Sequence, residues 1–297
     1  VEQLPTIVGL GETLWDVFPD GARLGGAPLN FCCSAAELAG AAARVVMVSA
    51  VGNDEFGQPA IDALAVHQVD TSCVQRNDQP TGQVLVELDD AGVASYRFAD
   101  DGAWDQLLWN EDLRQLAASC QAVCFGTLGQ RSEHSRRTIQ RFVGATADFA
   151  LRILDVNLRA PFFSDDVIRE SLALANVLKL NDDELPHLAS LFGISGTHVE
   201  VMRQLAQQFQ LRSVALTRGA NGAILLSDDV ESDLPGIEVK VADTVGAGDA
   251  FTAAMTLGLL AERSVDRINQ HAIATAAFVC SSSGATMKFP ENLLAGD

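Results

Sequence analysis

Apolar residues along this chain fall into two rhythms. Residues 6–11, 44–51, 122–126, 151–155, 177–180 and 213–217 are short and almost continuously apolar. Such runs predict strands buried on both faces. Stretches with apolar positions three and four apart predict helices over 25–38, 56–66, 132–142, 165–175, 182–192 and 199–208. Two longer helices are predicted over 246–260 and 265–283, and a strand over 223–227 beside 213–217. Strands alternating with helices imply βαβ units, hence an α/β fold with a doubly wound, mostly parallel sheet and helices on both faces.

Two segments break this rhythm. Residues 14–18 and 22–24 flank Pro19-Asp20-Gly21, and 81–88 and 94–98 flank Asp89-Asp90-Ala91-Gly92. Both read as hairpins; the second sets Tyr96 and Phe98 on one face and Arg97 on the other. The expectation is a single domain over 1–297, with a small β lid formed by about 13–25 and 80–100. Trp15, Val17 and Phe18 are apolar for a lid tip. A homodimer contact through the lid and packing onto the main body explain them equally well.

The chain has 297 residues, 48% of them hydrophobic, enough to bury a large core. No apolar run is long enough to span a bilayer, and residues 1–11 lack a basic stretch followed by an apolar one. With six cysteines and no CxxC pair, buried thiols in a reducing cytoplasm are the expectation. The formal charge of −19 disfavours nucleic acid and anionic membranes as partners. The lysines are Lys179, Lys240 and Lys288, so an anionic ligand would need positive potential from arginines, helix N-termini or a metal ion. His67, His134, His187, His198 and His271 are scattered and form no metal pattern. The phosphate-loop string GxxxxGK[ST] is missing. Gly9-x-Gly11 lacks the third glycine of a dinucleotide fingerprint, because position 14 is leucine.

Chemistry concentrates in Asp243-Thr244-Val245-Gly246-Ala247-Gly248-Asp249-Ala250-Phe251, which runs straight into an apolar helix. Gly246, Ala247 and Gly248 offer backbone N–H groups at a helix start with no bulky side chain in the way, a setting for an anion. Asp249 lies one residue beyond, where a carboxylate can accept the proton of an attacking alcohol. A tight turn with a capping aspartate is the simpler alternative for so short a motif. The length and context of the string favour chemistry.

This string is similar to the C-terminal signature of the ribokinase-like, or PfkB-type, carbohydrate kinases. Gly25-Gly26-Ala27-Pro28-Leu29-Asn30-Phe31, ending near Leu38-Ala39-Gly40, resembles their N-terminal signature. Intermediate motifs fill the gap, so the resemblance spans essentially the whole chain. Gly9-Leu10-Gly11-Glu12 through Asp16, with the GGAPLNF string, looks most like fructokinases. The resemblance implies a transfer of phosphate from ATP to a sugar hydroxyl, with Asp249 as base and Gly246-Ala247-Gly248 as anion hole. It implies that Asp16, Gly25, Gly26, Asn30 and Arg159 meet the sugar. Phe98 would cover it, or serve ordinary hairpin packing. Asp155-Val156-Asn157-Leu158-Arg159 matches the DxNxR segment. Lys179-Leu180-Asn181-Asp182-Asp183-Glu184 matches K-x-N-x-x-E, with Glu184 organising waters on Mg²⁺. Thr217, Gly219 and Gly222 resemble the nucleotide loop, which with Lys179 and Asn181 would hold ATP. Asp243, Val245 and Ser283 would form a monovalent-cation site for K⁺; Thr286-Met287 stands there where many relatives have proline after Gly-Ala-Thr. Fructose is the implied substrate, with 2-keto-3-deoxygluconate as runner-up and a non-catalytic sugar or nucleotide sensor as the rival class.

Overall fold

The computed structural model describes residues 4–19, 21–88 and 94–294. In chain order it holds β1 (Thr6–Leu10), β2 (Leu14–Phe18), β3 (Gly21–Gly25), α1 (Ala27–Ala39), β4 (Arg44–Gly52), α2 (Gly57–Val66), β5 (Val74–Asn77), β6 (Gly82–Leu88) and β7 (Ala94–Phe98). There follow α3 (Glu111–Ser119), β8 (Ala122–Phe125), α4 (Glu133–Gly144), β9 (Leu151–Asp155), α5 (Asp165–Leu174), β10 (Val177–Asn181), α6 (Glu184–Phe192) and α7 (His198–Phe209). The chain continues through β11 (Ser213–Thr217), β12 (Ala223–Ser227), β13 (Val230–Leu234), α8 (Ala247–Leu260) and α9 (Val265–Cys280). The turn expected at Asp89-Asp90-Ala91-Gly92 and the side chain of Tyr96 lie outside the described residues.

A nine-stranded sheet runs in the order β13-β12-β11-β10-β9-β8-β1-β4-β5. It is parallel from β5 through β11; β12 and β13 then return antiparallel. The side-chain period of two divides its core. Val8 and Leu10 of β1 join Val46 and Val48 of β4 on one face, with Leu113, Ile139, Ile168, Leu188 and Leu205 of α3 to α7. Ile7, Val45 and Met47 join the other face, with Leu29, Leu64, Phe251 and Ile273 of α1, α2, α8 and α9. Both faces are therefore covered, the condition under which parallel strands read as continuous apolar runs. Two strands that the pattern did not predict are the sheet's edges, β5 (VQRN) and β13 (VESDL), which are too polar to show it.

The four strands outside the rhythm form a second sheet, ordered β3-β2-β6-β7. Each hairpin is antiparallel, but the hairpins join through β2 and β6 in parallel, with Leu14 opposite Gly82. Trp15 packs on the chain's own main body: its Nε1 donates to the Phe56 carbonyl at 3.1 Å, and its ring centroid is 5.9 Å from that of Phe56. Among the described residues no helix is long and apolar enough to cross a membrane.

Thr197 caps α7 in a reciprocal pair with Glu200. Thr197→Ala should cost ~1 kcal/mol of stability, read as a lower urea midpoint with unchanged slope.

Candidate active site

The carboxyl ends of β9, β10 and β11 open onto one cleft. Parallel register sets Lys179 beside Asp155 and Asn181 beside Thr217. The cleft has a volume of about 1180 Å³, more than the ~300–1,000 Å³ of a pocket for a single small ligand. Asp16, Gly26, Asn30, Phe98 and Arg159 line one part. Lys179, Asn181, Thr217, Gly219 and Gly222 line another, and Val245, Gly246, Ala247, Gly248 and Asp249 also line it.

Gly246 caps α8 in the left-handed region, at φ 79°. A β-carbon there would lie 2.8 Å from that of Ala285, so both backbone conformation and space call for glycine. The Ala247 amide leans on the Thr244 carbonyl at 3.4 Å, while the next two first-turn amides, of Gly248 and Asp249, have no intrahelical acceptor and can meet an anion. Asp249 sits in that first turn, half-buried, and its Oδ2 accepts a hydrogen bond from Asn30 Nδ2 at 2.9 Å. Burial, reinforced by Asp155, pushes the Asp249 carboxyl up to about 7, although Asn30, Lys179 and Arg159 pull the other way. Near neutrality it can therefore both lose and take a proton.

Beneath this helix start lies a buried ionic group that sequence reasoning did not assemble. Lys179 Nζ donates to Asp155 Oδ1 at 3.1 Å, and Thr252 Oγ1 donates to Asp155 Oδ2 at 3.0 Å. All three residues are buried. A β-carbon on Gly248 would stand 3.0 Å from Nζ, so the ammonium lies directly against the helix's first turn. Burial works against the lysine charge. Asp155, Glu184 and Asp249 outweigh it, and its pKa is raised.

Asp16 lies on β2 opposite Arg23 of β3. Burial raises its carboxyl to about 6 against the pull of Arg159 and Arg23. Gly25 does not line the cleft; it makes room for Asp16, whose Oδ2 would be 2.7 Å from an added β-carbon. Gly26 has φ 114°, and its backbone passes too close to the Glu12 carbonyl for a side chain. Phe98 lines the cleft and sets its ring edge-on to Phe162 at 5.1 Å, so it covers the cavity and packs at once. Arg159 is exposed at the cleft wall, just after Asn157, which holds a left-handed φ of 40°.

Glu184 does not line the cleft. Its Oε1 accepts from the Leu158 amide and its Oε2 from the Asn181 amide, each at 2.9 Å, which ties the loop after β9 to the end of β10. Burial raises its pKa. Asp243 likewise faces backbone: its Oδ1 accepts from the Val245 amide at 3.0 Å and its Oδ2 from the Gly284 amide at 3.3 Å. Ser283 is exposed beside Gly284. Among the described residues no group of three His, Cys, Asp or Glu side chains could hold a metal ion. Mg²⁺ fits this cleft only in the way it commonly binds, on phosphate oxygens and retained waters.

Asp16, Glu12 and Asp249 all have pKa values raised by burial, to about 6, 7 and 7. A carboxyl raised in the folded state stabilises the fold fully below its unfolded pKa, and that stability is lost as pH climbs through the folded value. Melting should therefore occur at a higher temperature at about pH 5.5 than at about pH 8.

A fructokinase of Klebsiella pneumoniae is 31% identical over 277 residues, 87% of this chain and 86% of its own length. One from Salmonella typhimurium is 30% identical across 94% of this chain and 92% of its own. An uncharacterized sugar kinase of Pyrococcus horikoshii, crystallised with ATP, superposes with a TM-score of 0.81 at 28% identity, covering 95% of each chain. The fold alone is also shared with a fructokinase of Xylella fastidiosa with bound ATP, at a TM-score of 0.83, 23% identity, 96% of this chain and 95% of that one. Residues 14–292 match the model of the pfkB family carbohydrate kinases, and the chain belongs to that family.

Proposed function

We propose that this sugar kinase phosphorylates D-fructose to fructose 6-phosphate at the expense of ATP. The observation that carries the chemistry is Asp249: a carboxyl raised to about 7, bonded to Asn30, in the first turn behind Gly246. Support for fructose comes from the fructokinase relatives at 30 and 31% identity. A neutral polyol suits Asp16 and Asn30, whose carboxylate and amide accept from and donate to hydroxyls.

In this reading Asp16 and Asn30 orient the sugar hydroxyls, Gly26 lets the sugar approach the backbone, Gly25 leaves room for the Asp16 carboxylate, and Phe98 and Arg159 close the site. Lys179, Asn181, Thr217, Gly219 and Gly222 receive ATP. The acceptor hydroxyl gives its proton to Asp249 as its oxygen bonds to the terminal phosphorus and the bond to ADP breaks. The first-turn amides over Gly246, Ala247 and Gly248 hold the charge that builds on the transferring oxygens, with Lys179 beneath them. Asn181, with Glu184 behind it fixing the end of β10, would hold Mg²⁺ through waters, and the ion would supply positive charge to the phosphates. K⁺ would sit by Asp243, the Val245 carbonyl and Ser283. The small sheet closes over the sugar and excludes water, which suppresses ATP hydrolysis.

A second reading has one observation in its favour. Arg159 is an exposed cation at the cleft wall and could pair with a carboxylate, as in 2-keto-3-deoxygluconate. Coupled detection of ADP release should settle the choice, with fructose, ribose, glucose, 2-keto-3-deoxygluconate and adenosine tested with and without K⁺. Turnover is expected on fructose; strong preference for the acid would replace that assignment, and silence from ATP-binding protein would favour a sensor. For the accepted sugar, kcat/KM should rise through about pH 7 and level off above it, because Asp249 must be ionised to act.

A further inference from the structure

Glu12 has no role in the scheme above, yet it is one of the most deeply buried charged residues, 2% exposed. It lies in the link between β1 and β2. Its Oε1 accepts from the Ala27 amide, the first residue of α1, at 3.2 Å. That helix has no side-chain cap of its own, since Gly26 stands at the N-cap. One turn on, α1 carries Asn30, whose amide nitrogen bonds Asp249. Glu12 thus stands one helical turn from the partner of the proposed base.

Its second oxygen is the unusual part. Oε2 is buried without a hydrogen-bond partner. Glu12 and Asp249 line one small cavity together, with Asp155, Asn157 and Cys124, and with Asn157 both also line the main cleft beside it. The rest of the small cavity's wall is largely apolar: Ala27, Pro28 and Phe31 from α1, and Phe125 and Leu128 from β8 and the turn after it. The charged groups that act on Glu12 are Asp249, which repels its anion, and Arg159, which attracts it. Burial and Asp249 together raise the Glu12 carboxyl to about 7, level with Asp249.

The geometry points to Glu12 as a positioning residue for phosphoryl transfer, which fixes Asn30 through the Ala27 amide and sets the charge that Asp249 feels. The inference rests on the reading of Asp249 as base. Two carboxyls that share one cavity and interact release their protons in two steps belonging to the pair. Glu12 therefore keeps Asp249 a stronger base than it would be alone.

Three variants divide the two actions. Glu12→Gln keeps an acceptor for Ala27 and removes the charge. With its repelling neighbour gone, Asp249 ionises more readily, and the acid limb of the kcat/KM profile should move down by about half a pH unit or more. Glu12→Asp keeps the charge but is too short to reach Ala27. It should hold the limb in place and lose kcat by about tenfold, with KM for ATP unchanged. Glu12→Ala should show both effects. A Glu12→Gln enzyme that melts normally and has an unmoved limb overturns the role of Glu12. Asp249→Asn serves as the control: if it still turns over, the base assignment itself fails. If it is inactive while the Glu12→Gln limb stays put, only the inference about Glu12 falls.

Discussion

Asp249→Asn is expected to lower kcat by ~10²–10⁴ while leaving sugar and ATP affinity close to the wild type. Asparagine has almost the same shape and still offers an oxygen to Asn30 Nδ2, so the bond that orients residue 249 can persist. What it lacks is the ability to take a proton. The surrounding geometry is unchanged: the Gly246 cap, the first-turn amides and Lys179 below them all remain. Removing a buried carboxyl raised to about 7 also removes the cost of its charge above that pH, so the variant should melt no lower than the wild type at about pH 8. Calorimetric titration with sugar and with a non-hydrolysable ATP analogue, beside single-turnover kinetics, separates binding from chemistry. Turnover within a few-fold of wild type would remove Asp249 from the mechanism.

Much of the main sheet was legible because its strands are buried on both faces, so that runs such as 151–155 and 213–217 carry their own signal. The two unpredicted strands lie at the sheet's edges, and α3 carries its helical spacing, at Leu113, Leu116 and Ala117, over nine residues only. The parallel joining of β2 to β6 is set by contacts between segments some seventy residues apart, and no local pattern encodes that pairing. In the site, the short glycine strings and Asp249 could be read because loop chemistry is local. The chain does bring Asp16, Asn30, Phe98, Arg159, Lys179, Asn181, Thr217 and Asp249 to one cleft. Glu184 and Asp243 were legible as acidic residues, but their occupation by backbone amides was not. Asp155 and Thr252 could not be joined to Lys179 from sequence, because the group assembles from β9, β10 and α8. The one available signal was polarity at the end of an apolar strand, at Asp155 and at Lys179.

Lys179→Met should damage both the fold and the reaction, and the two losses can be told apart. Lys179 and Asp155 are 7% and 6% exposed, so deleting the ammonium strands a buried carboxylate. Breaking such a pair from one side costs ~3–5 kcal/mol, visible as a lower urea midpoint. A second substitution, Asp155→Leu, removes the stranded charge. Replacement of a buried pair by apolar residues of similar volume is often neutral, so Lys179→Met/Asp155→Leu should recover much of the lost stability. Activity should not return with it. The ammonium stands against Gly248 in a chain of net charge −19, where few other cations offset the charge of a transferring phosphate. Loss of one charge-stabilising group of this kind costs ~10²–10³ in kcat. A folded, stable double variant with kcat reduced by that factor would assign Lys179 to the anion site. If the double variant regained wild-type kcat along with its stability, the lysine would be a core ion pair and no more, and the positive potential at Gly246–Gly248 would have to come from the helix start alone.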